Sequence, residues 1–180
     1  YNHARSLSSS NIRNKIRTEQ YISHTSGLAP NKLQTNIVIL EEVYEYDFEN
    51  FCKINSKACP LVAKTKIKDP FFHTLGKNID VRTDVPLYNV YKRGKLFKTV
   101  PNIKSFWKDN LIAFAIGCSF TFEQSLLNHG LTIDHINNNK VVPMYRTNIK
   151  NRKSGIFESY MVVSMRIFSK EEVKKVKNIS

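Results

Sequence analysis

The sequence is short of the features that cross-link a protein, anchor it in a membrane or gather a metal. Its three cysteines, Cys52, Cys59 and Cys118, are an odd number at spacings that fit neither a disulfide framework nor a zinc module. A reducing, cytoplasmic compartment is the simpler reading. No stretch approaches the roughly 18 to 20 consecutive apolar residues of a membrane span, and the first thirty residues hold no apolar run of the signal-peptide kind. Membrane contact is therefore not expected. The histidines His73, His129 and His135 stand without partners at ligand spacing, so neither a metal nor a cofactor is expected. Internal repeats and low-complexity tracts are absent as well.

Negative charge is also scarce. Fifteen acidic residues face 28 basic ones, a formal charge of +13 and a pI of about 9.7. Such an excess admits nucleic acid, a membrane surface or acidic small molecules as partners. Twenty of the cations are Lys, scattered with Asn along the chain and never interleaved with aromatic residues in one stripe, which argues against nucleic acid. A small acidic substrate fits better, and assembly with further copies of the chain stays open.

What is present is enough to fold. Apolar residues make up 41% of the 180, which can fill the core of one domain or two small ones. Residues 1–10 read as a flexible leader or tag remnant, and the fold argument covers 11–180, with a subdomain boundary or exposed loop expected in the Lys-rich stretch 63–79. Ser10, Ile12 and Ile16 predict a short capped helix. Asn36–Leu40 reads as a strand covered on both faces. Asp47 is placed to cap a helix carrying Phe48, Phe51 and Ile54, which ends before Pro60. Residues 87–91 and 96–100 form a hairpin through Gly94. Ile103, Phe106, Trp107, Leu111 and Phe114 lie at largely helical spacings, which predicts an amphipathic helix over 103–116. A further helix runs from Thr121 to His129–Gly130. Strands follow at 141–145 and 160–165, and a charged amphipathic segment over 170–177 ends the chain. Helices interleaved with strands indicate a mixed α/β or α+β class.

Three segments carry candidate chemistry. Gly117–Cys118–Ser119 precedes a helix on which Thr121 and Gln124 have capping-box spacing. The helix entry would offer N–H groups to a carboxylate, an oxyanion or a thiolate. Glu123 in its first turn suits acid or base work when buried, or simply complements the dipole. Cys118 reads either as a nucleophile or as a small packing residue. In the second segment, Tyr145, Arg146, Thr147 and Asn148 deliver a phenol, a guanidinium, a hydroxyl and an amide to one strand end, and Arg is the side chain best suited to clamp a carboxylate. In the third, Arg82 and Asp84 sit in an alternating-charge run that either binds substrate or forms an internal ion-pair network. Ser164 and Arg166 end the last strand as another carboxylate contact, or as ordinary surface.

The same segments carry a resemblance. Gly27-Leu28-Ala29-Pro30 with Gln34 and Asn36, then Cys59-Pro60-Leu61, Asp80–Pro86 leading to Tyr88 and Tyr91, Ile116–Glu123, Val142–Asn148 and Met161–Arg166 occur in order at compatible spacing. Together they make the chain similar to the D-glutamate cyclase family, whose members have been called putative hydro-lyases. Asn31-Lys32 stands where the family usually has Gly-Tyr, and Ile167 replaces a common proline. Family members continue through further Gly-, Asp- and His-containing motifs and a Cys-Gly segment; the sequence here lacks them, as a fragment or a naturally short homologue would. The resemblance implies a layered α/β sandwich with a smaller α+β subdomain. It also implies reversible loss of water from D-glutamate to give 5-oxo-D-proline. On that chemistry Glu123 is assigned proton transfer, the backbone near Cys118 and Ser119 the oxyanion, Arg146 with Asn148 the α-carboxylate, and Tyr145 proton donation. A non-catalytic relative that binds a small carboxylate or a protein is the competing expectation.

Overall fold

In a computed structural model the described residues are 7–138 and 140–179. Helix α1 (Ser9–Arg17) is capped by Ser8, whose hydroxyl accepts from the Asn11 amide, two residues before the Ser10 start expected from sequence. Leu7 packs with Ile12, Ile16 and Leu28 beneath it. Strand β1 (Thr35–Glu41) leads through a 3₁₀ turn into α2 (Glu45–Ile54), and β2 (Leu61–Lys64) follows. Asp47 lies inside the first turn of α2 and Tyr44 occupies the N-cap position, so Asp47 complements the dipole and does not cap. Next come β3 (Tyr88–Lys92), β4 (Lys95–Val100) and β5 (Leu111–Gly117). The chain closes with α3 (Phe120–Asn128), the short α4 (Asp134–Asn137), β6 (Met144–Lys150), β7 (Tyr160–Ser164) and α5 (Lys170–Ile179). The class is mixed α+β, and every strand pair is antiparallel.

The centre is a three-stranded sheet of order β1-β5-β2. Residues 103–116 are therefore not one helix. Ile103 to Trp107 forms a turn in which the Phe106 and Trp107 amides donate to the Ile103 carbonyl, and Leu111–Gly117 is the central strand. The helical spacing misled because a strand buried on both faces shows no alternation: Ile112, Phe114 and Ile116 face α2 with Phe48, Phe51 and Cys52. Ala113 and Ala115 face Phe72 and Val81 on the other side. Phe114 is fully buried, with its ring 4.9 Å from that of Phe48; burying such a side chain contributes about 1.5–3 kcal/mol.

The stretch 63–79 is not uniformly exposed. Ala63 and Lys64 belong to β2, and Thr65 and Phe72 are buried, Phe72 as part of the layer beneath the sheet. The β3–β4 hairpin closes through Arg93 and Gly94, both at positive φ (49° and 74°), the requirement of a type I′ turn.

The β6–β7 ribbon is fastened to α2 through the segment that joins its strands. Phe157 stacks edge-on against Phe48 at 5.0 Å, Asn50 Nδ2 donates to Ser154 Oγ at 2.9 Å, and the Asn55 side chain bonds both the Arg152 carbonyl and amide. Gly155 lies so close to Asp47 that a Cβ there would meet its Oδ2 at 1.9 Å. These contacts fix where β7 ends, and with it Ser164 and Arg166.

Candidate functional site

β5 ends at Gly117, whose amide donates to the Pro60 carbonyl at 2.8 Å, and three residues later, at Phe120, α3 begins. The capping box expected from Thr121 and Gln124 does not form. Thr121 Oγ1 instead accepts from the Gln34 amide at 3.1 Å and reaches the Gln34 carbonyl, while Gln124 Nε2 donates to Asn128 Oδ1. Ser119 holds the N-cap position with no capping bond of its own. Its hydroxyl turns to Ser164 Oγ at 3.0 Å and accepts from Arg166 Nη2 at 3.2 Å.

That hydroxyl pair is the edge of a buried cluster. Glu123, one turn into α3, is 3% exposed. Its Oε1 accepts from Arg166 Nε at 3.0 Å, from Arg166 Nη2, and from His135 Nε2–H at 3.0 Å. Arg166 Nη1 donates to Ser164 Oγ at 3.0 Å, and the guanidinium lies 4.8 Å from the centre of the Phe122 ring, a favourable cation–π arrangement. All three nitrogens of Arg166 are thus engaged inside the protein. Glu123 Oε2 has no hydrogen-bond partner among the described residues. A carboxylate oxygen left unpaired in a buried site costs free energy.

Four residues singled out from the sequence, Ser119, Glu123, Ser164 and Arg166, are therefore brought together. His135 was missed because it was sought as a metal ligand. The signal was an alternation, since Leu131, Ile133 and His135 are all buried, which put the imidazole on the inward side of its segment.

Other candidates lie apart. Cys118 is half-buried with a free thiol, and its amide donates to the Gln34 carbonyl. Cys52 and Cys59 are pushed up by burial, Cys52 to about 11, which keeps both thiols protonated and unreactive. Tyr145, Arg146 and Asn148 are exposed on β6. Thr147 Oγ1 donates to the Met161 carbonyl at 2.8 Å, a bond within the ribbon. Met144 pairs with Ser164, Tyr145 with Val163 and Arg146 with Val162. By the pleat, Arg146 shares the face of Ser164 and Tyr145 takes the opposite one. Arg146 lines a separate cleft with Cys59 and Tyr160.

The Asp80–Asp84 run is an internal network. Arg82 holds Asp80 in two-point geometry (Nε to Oδ1 2.9 Å, Nη2 to Oδ2 2.8 Å), and Asp84 takes Arg17 Nη2 at 2.7 Å with Arg13 nearby at 3.4 Å. Burial works against the charged form of Asp80, but the hydrogen bonds and charge of Arg82 outweigh it and hold the carboxyl below its ordinary range. Among the described residues no group of three His, Cys, Asp or Glu side chains is placed to hold a metal, and no helix is long and apolar enough to cross a membrane.

Comparison with known proteins falls on the same cluster. A family model described as D-glutamate cyclase matches residues 112–180, the span that carries Ser119, Glu123, His135, Ser164 and Arg166. The chain is 43% identical over all its 180 residues to a putative hydro-lyase of Ruegeria pomeroyi, covering 66% of that relative. It is 45% identical over 169 residues to one of Dinoroseobacter shibae, 94% of this chain and 56% of the relative. A third, of Cupriavidus taiwanensis, is 48% identical over 155 residues, 86% of this chain and 58% of the relative. The chain thus spans between 56% and 66% of the length of these relatives. Because identity of this degree runs the length of the chain, and the family model covers the strand, the helix and the ribbon that meet at Glu123, the chain belongs to the D-glutamate cyclase family.

Proposed function

We propose that the chain contributes the proton-transfer centre of a hydro-lyase that cyclises D-glutamate to 5-oxo-D-proline and reverses that step. The observation that carries the reading is Glu123: one oxygen is fixed by Arg166 and His135 and the other is free, on the helix that follows the β5 turn. In cyclisation the α-amine gives up a proton and its nitrogen bonds to the γ-carboxyl carbon. A tetrahedral oxyanion forms, and one carboxyl oxygen leaves as water. The ammonium gives up two protons in all and the departing oxygen takes up both, so that it leaves as water; Glu123 Oε2 carries them one at a time, as general base and then general acid. With the Cys118 amide engaged at Gln34, oxyanion stabilisation falls to the amides of Ser119 and Phe120 that open α3. Arg166 orients Glu123 in this scheme.

Proton NMR of D-glutamate and of 5-oxo-D-proline incubated with the protein tests the reading. Interconversion in both directions is expected; its absence at high protein concentration removes the activity from this chain.

A further inference from the structure

We infer that the β3–β4 hairpin of one molecule docks against the acidic turn between β1 and α2 of a second copy of the chain, its basic and apolar side chains meeting acidic and apolar ones.

Residues 91–99 of the hairpin are all exposed, while Tyr88 and Val100 at its base are buried. Among the described residues neither outer edge is paired with another strand. A two-stranded ribbon is marginal in water by itself, and its bare edges are open to a partner. Tyr91 stands opposite Leu96, and Lys92 opposite Lys95. Tyr91 and Leu96 therefore share one exposed apolar face. Lys92 and Lys95 set like charges across from each other, an arrangement that costs stability until a counter-charge meets it; Lys92 Nζ lies over the Phe97 ring at 3.7 Å. Residues 85–108 hold six cations and no acid, and among the described residues none of the six makes an ion pair.

The complement lies on the same chain. Residues 41–49 carry five of its fifteen acids and no cation. Lys64 engages Glu45 and Glu49, whereas Glu41 and Glu42 are exposed. Beside them Val43 and Tyr46, 72% and 79% exposed, are the barest large apolar side chains among the described residues. The two patches do not pair within one molecule, since α2 packs on one face of the central sheet and the hairpin base packs with Trp107 on the other. Both still flank the same end of β1, because Ile39, two residues before Glu41, packs on Tyr88 and Val100. A two-fold pair of molecules can thus make the contact twice. Tyr46, Tyr91 and Phe97 offer on the order of 100 Å² each at their exposures. Used twice, these rings supply about half of the roughly 1,200 Å² of a small stable interface. A lipid surface or a nucleic acid would satisfy the hairpin and leave the acidic turn bare; a second copy satisfies both. Two molecules of charge +13 repel at long range, so the local opposition of charge decides how they meet.

Sedimentation equilibrium in about 0.1 M salt tests the docking. The wild type should pass from a monomer of 20.9 kDa to a dimer with a Kd on the order of 10–100 µM. The double variants Lys92→Glu/Lys95→Glu and Glu41→Lys/Glu42→Lys should each weaken association at least about tenfold. An equimolar mixture of the two should restore it to within roughly threefold of wild type, because each then carries the charge that the other lacks. The hairpin exchange takes four units from the net charge of +13, so association through apolar surface elsewhere would tighten in that variant. All four positions are exposed, and circular dichroism checks that the variants stay folded. A wild type that remains monomeric to roughly 1 mM overturns the docking, and binding of that monomer to phosphatidylserine vesicles or to a single-stranded oligonucleotide would give the hairpin to a polyanion instead. A hairpin variant that associates as tightly as wild type overturns it as well, as does a mixture that fails to associate.

Discussion

Two arginine–carboxylate groups in this molecule look alike in sequence and differ in one respect. Around Asp80 and Asp84 every carboxylate oxygen has a donor: Arg82 covers both oxygens of Asp80, and Arg17 both oxygens of Asp84; the buried atom there that makes no hydrogen bond is a donor, Arg13 Nε, and it still lies 3.4 Å from Asp84 Oδ2. Around Glu123 the donors crowd onto Oε1 and leave Oε2 bare. A network that only holds a fold gains nothing from an unsatisfied buried acceptor. The first group therefore reads as a brace between α1 and the segment below the sheet, and the second as a site. Counting charges does not separate the two; asking which oxygen lacks a partner does.

Substitution should break the comparison along the same line. Glu123→Gln keeps the shape and removes the base, so D-glutamate turnover should fall by about 10²–10⁴-fold, read as 5-oxoproline formation by NMR. Asp84→Asn should act on stability, because it leaves Arg17 and Arg13 facing an amide. A loss of about 2–3 kcal/mol of stability, read from the shift of the urea denaturation midpoint, is expected, below the cost of breaking a fully buried pair because both arginines are partly exposed. If Asp84→Asn abolished turnover in a fully folded protein, the assignment of this run to structure would be wrong.

Much of the comparison was legible in the sequence, piece by piece. Glu123, Ser119, Ser164 and Arg166 each stood out by chemistry, and the Asp80–Asp84 run already carried the ion-pair reading. Sequence could not supply the pairing: Arg166 reaches Glu123 across 43 positions, and only the ribbon, pinned to α2 through Phe157 and Asn55, brings them together. The hairpin at Gly94 was readable because its turn chemistry is local. The central strand was not, because Ile112–Ile116 is apolar on both faces and the preceding turn residues Ile103, Phe106 and Trp107 happen to continue a helical spacing. Tyr145 and Arg146 are adjacent in sequence, yet a strand sends neighbours to opposite faces, which splits the second constellation.

His135 sharpens the comparison at a smaller scale. It supplies one of the three donors on Oε1, and Arg166 supplies the rest. His135→Ala should cost about 1–3 kcal/mol of stability for the lost bond and the small cavity. Turnover should fall by about tenfold, since Glu123 keeps its arginine and loses only part of its orientation. Comparing turnover with the thermal midpoint at matched folded fraction separates the effects. A variant with wild-type turnover would limit His135 to packing.

The mildest effect belongs to Asp80, and it is read by pH. Its carboxyl is held below the ordinary range in the folded chain, since Arg82 outweighs the opposing effect of burial. A depressed folded value means that the unfolded chain takes up a proton first as acid is added. The contribution is therefore complete above the usual aspartate value of about 4 and is lost as the pH falls through the folded value. Asp80→Asn should lower stability at neutral pH by about 0.5–1 kcal/mol, allowing for solvent around Arg82, and should flatten the decline below about pH 4. Urea midpoints for the two proteins between pH 7 and pH 3 should converge at the acid end. Parallel curves would show that Arg82 does not hold Asp80 in this way, and the satisfied half of the comparison would then rest on Asp84 alone.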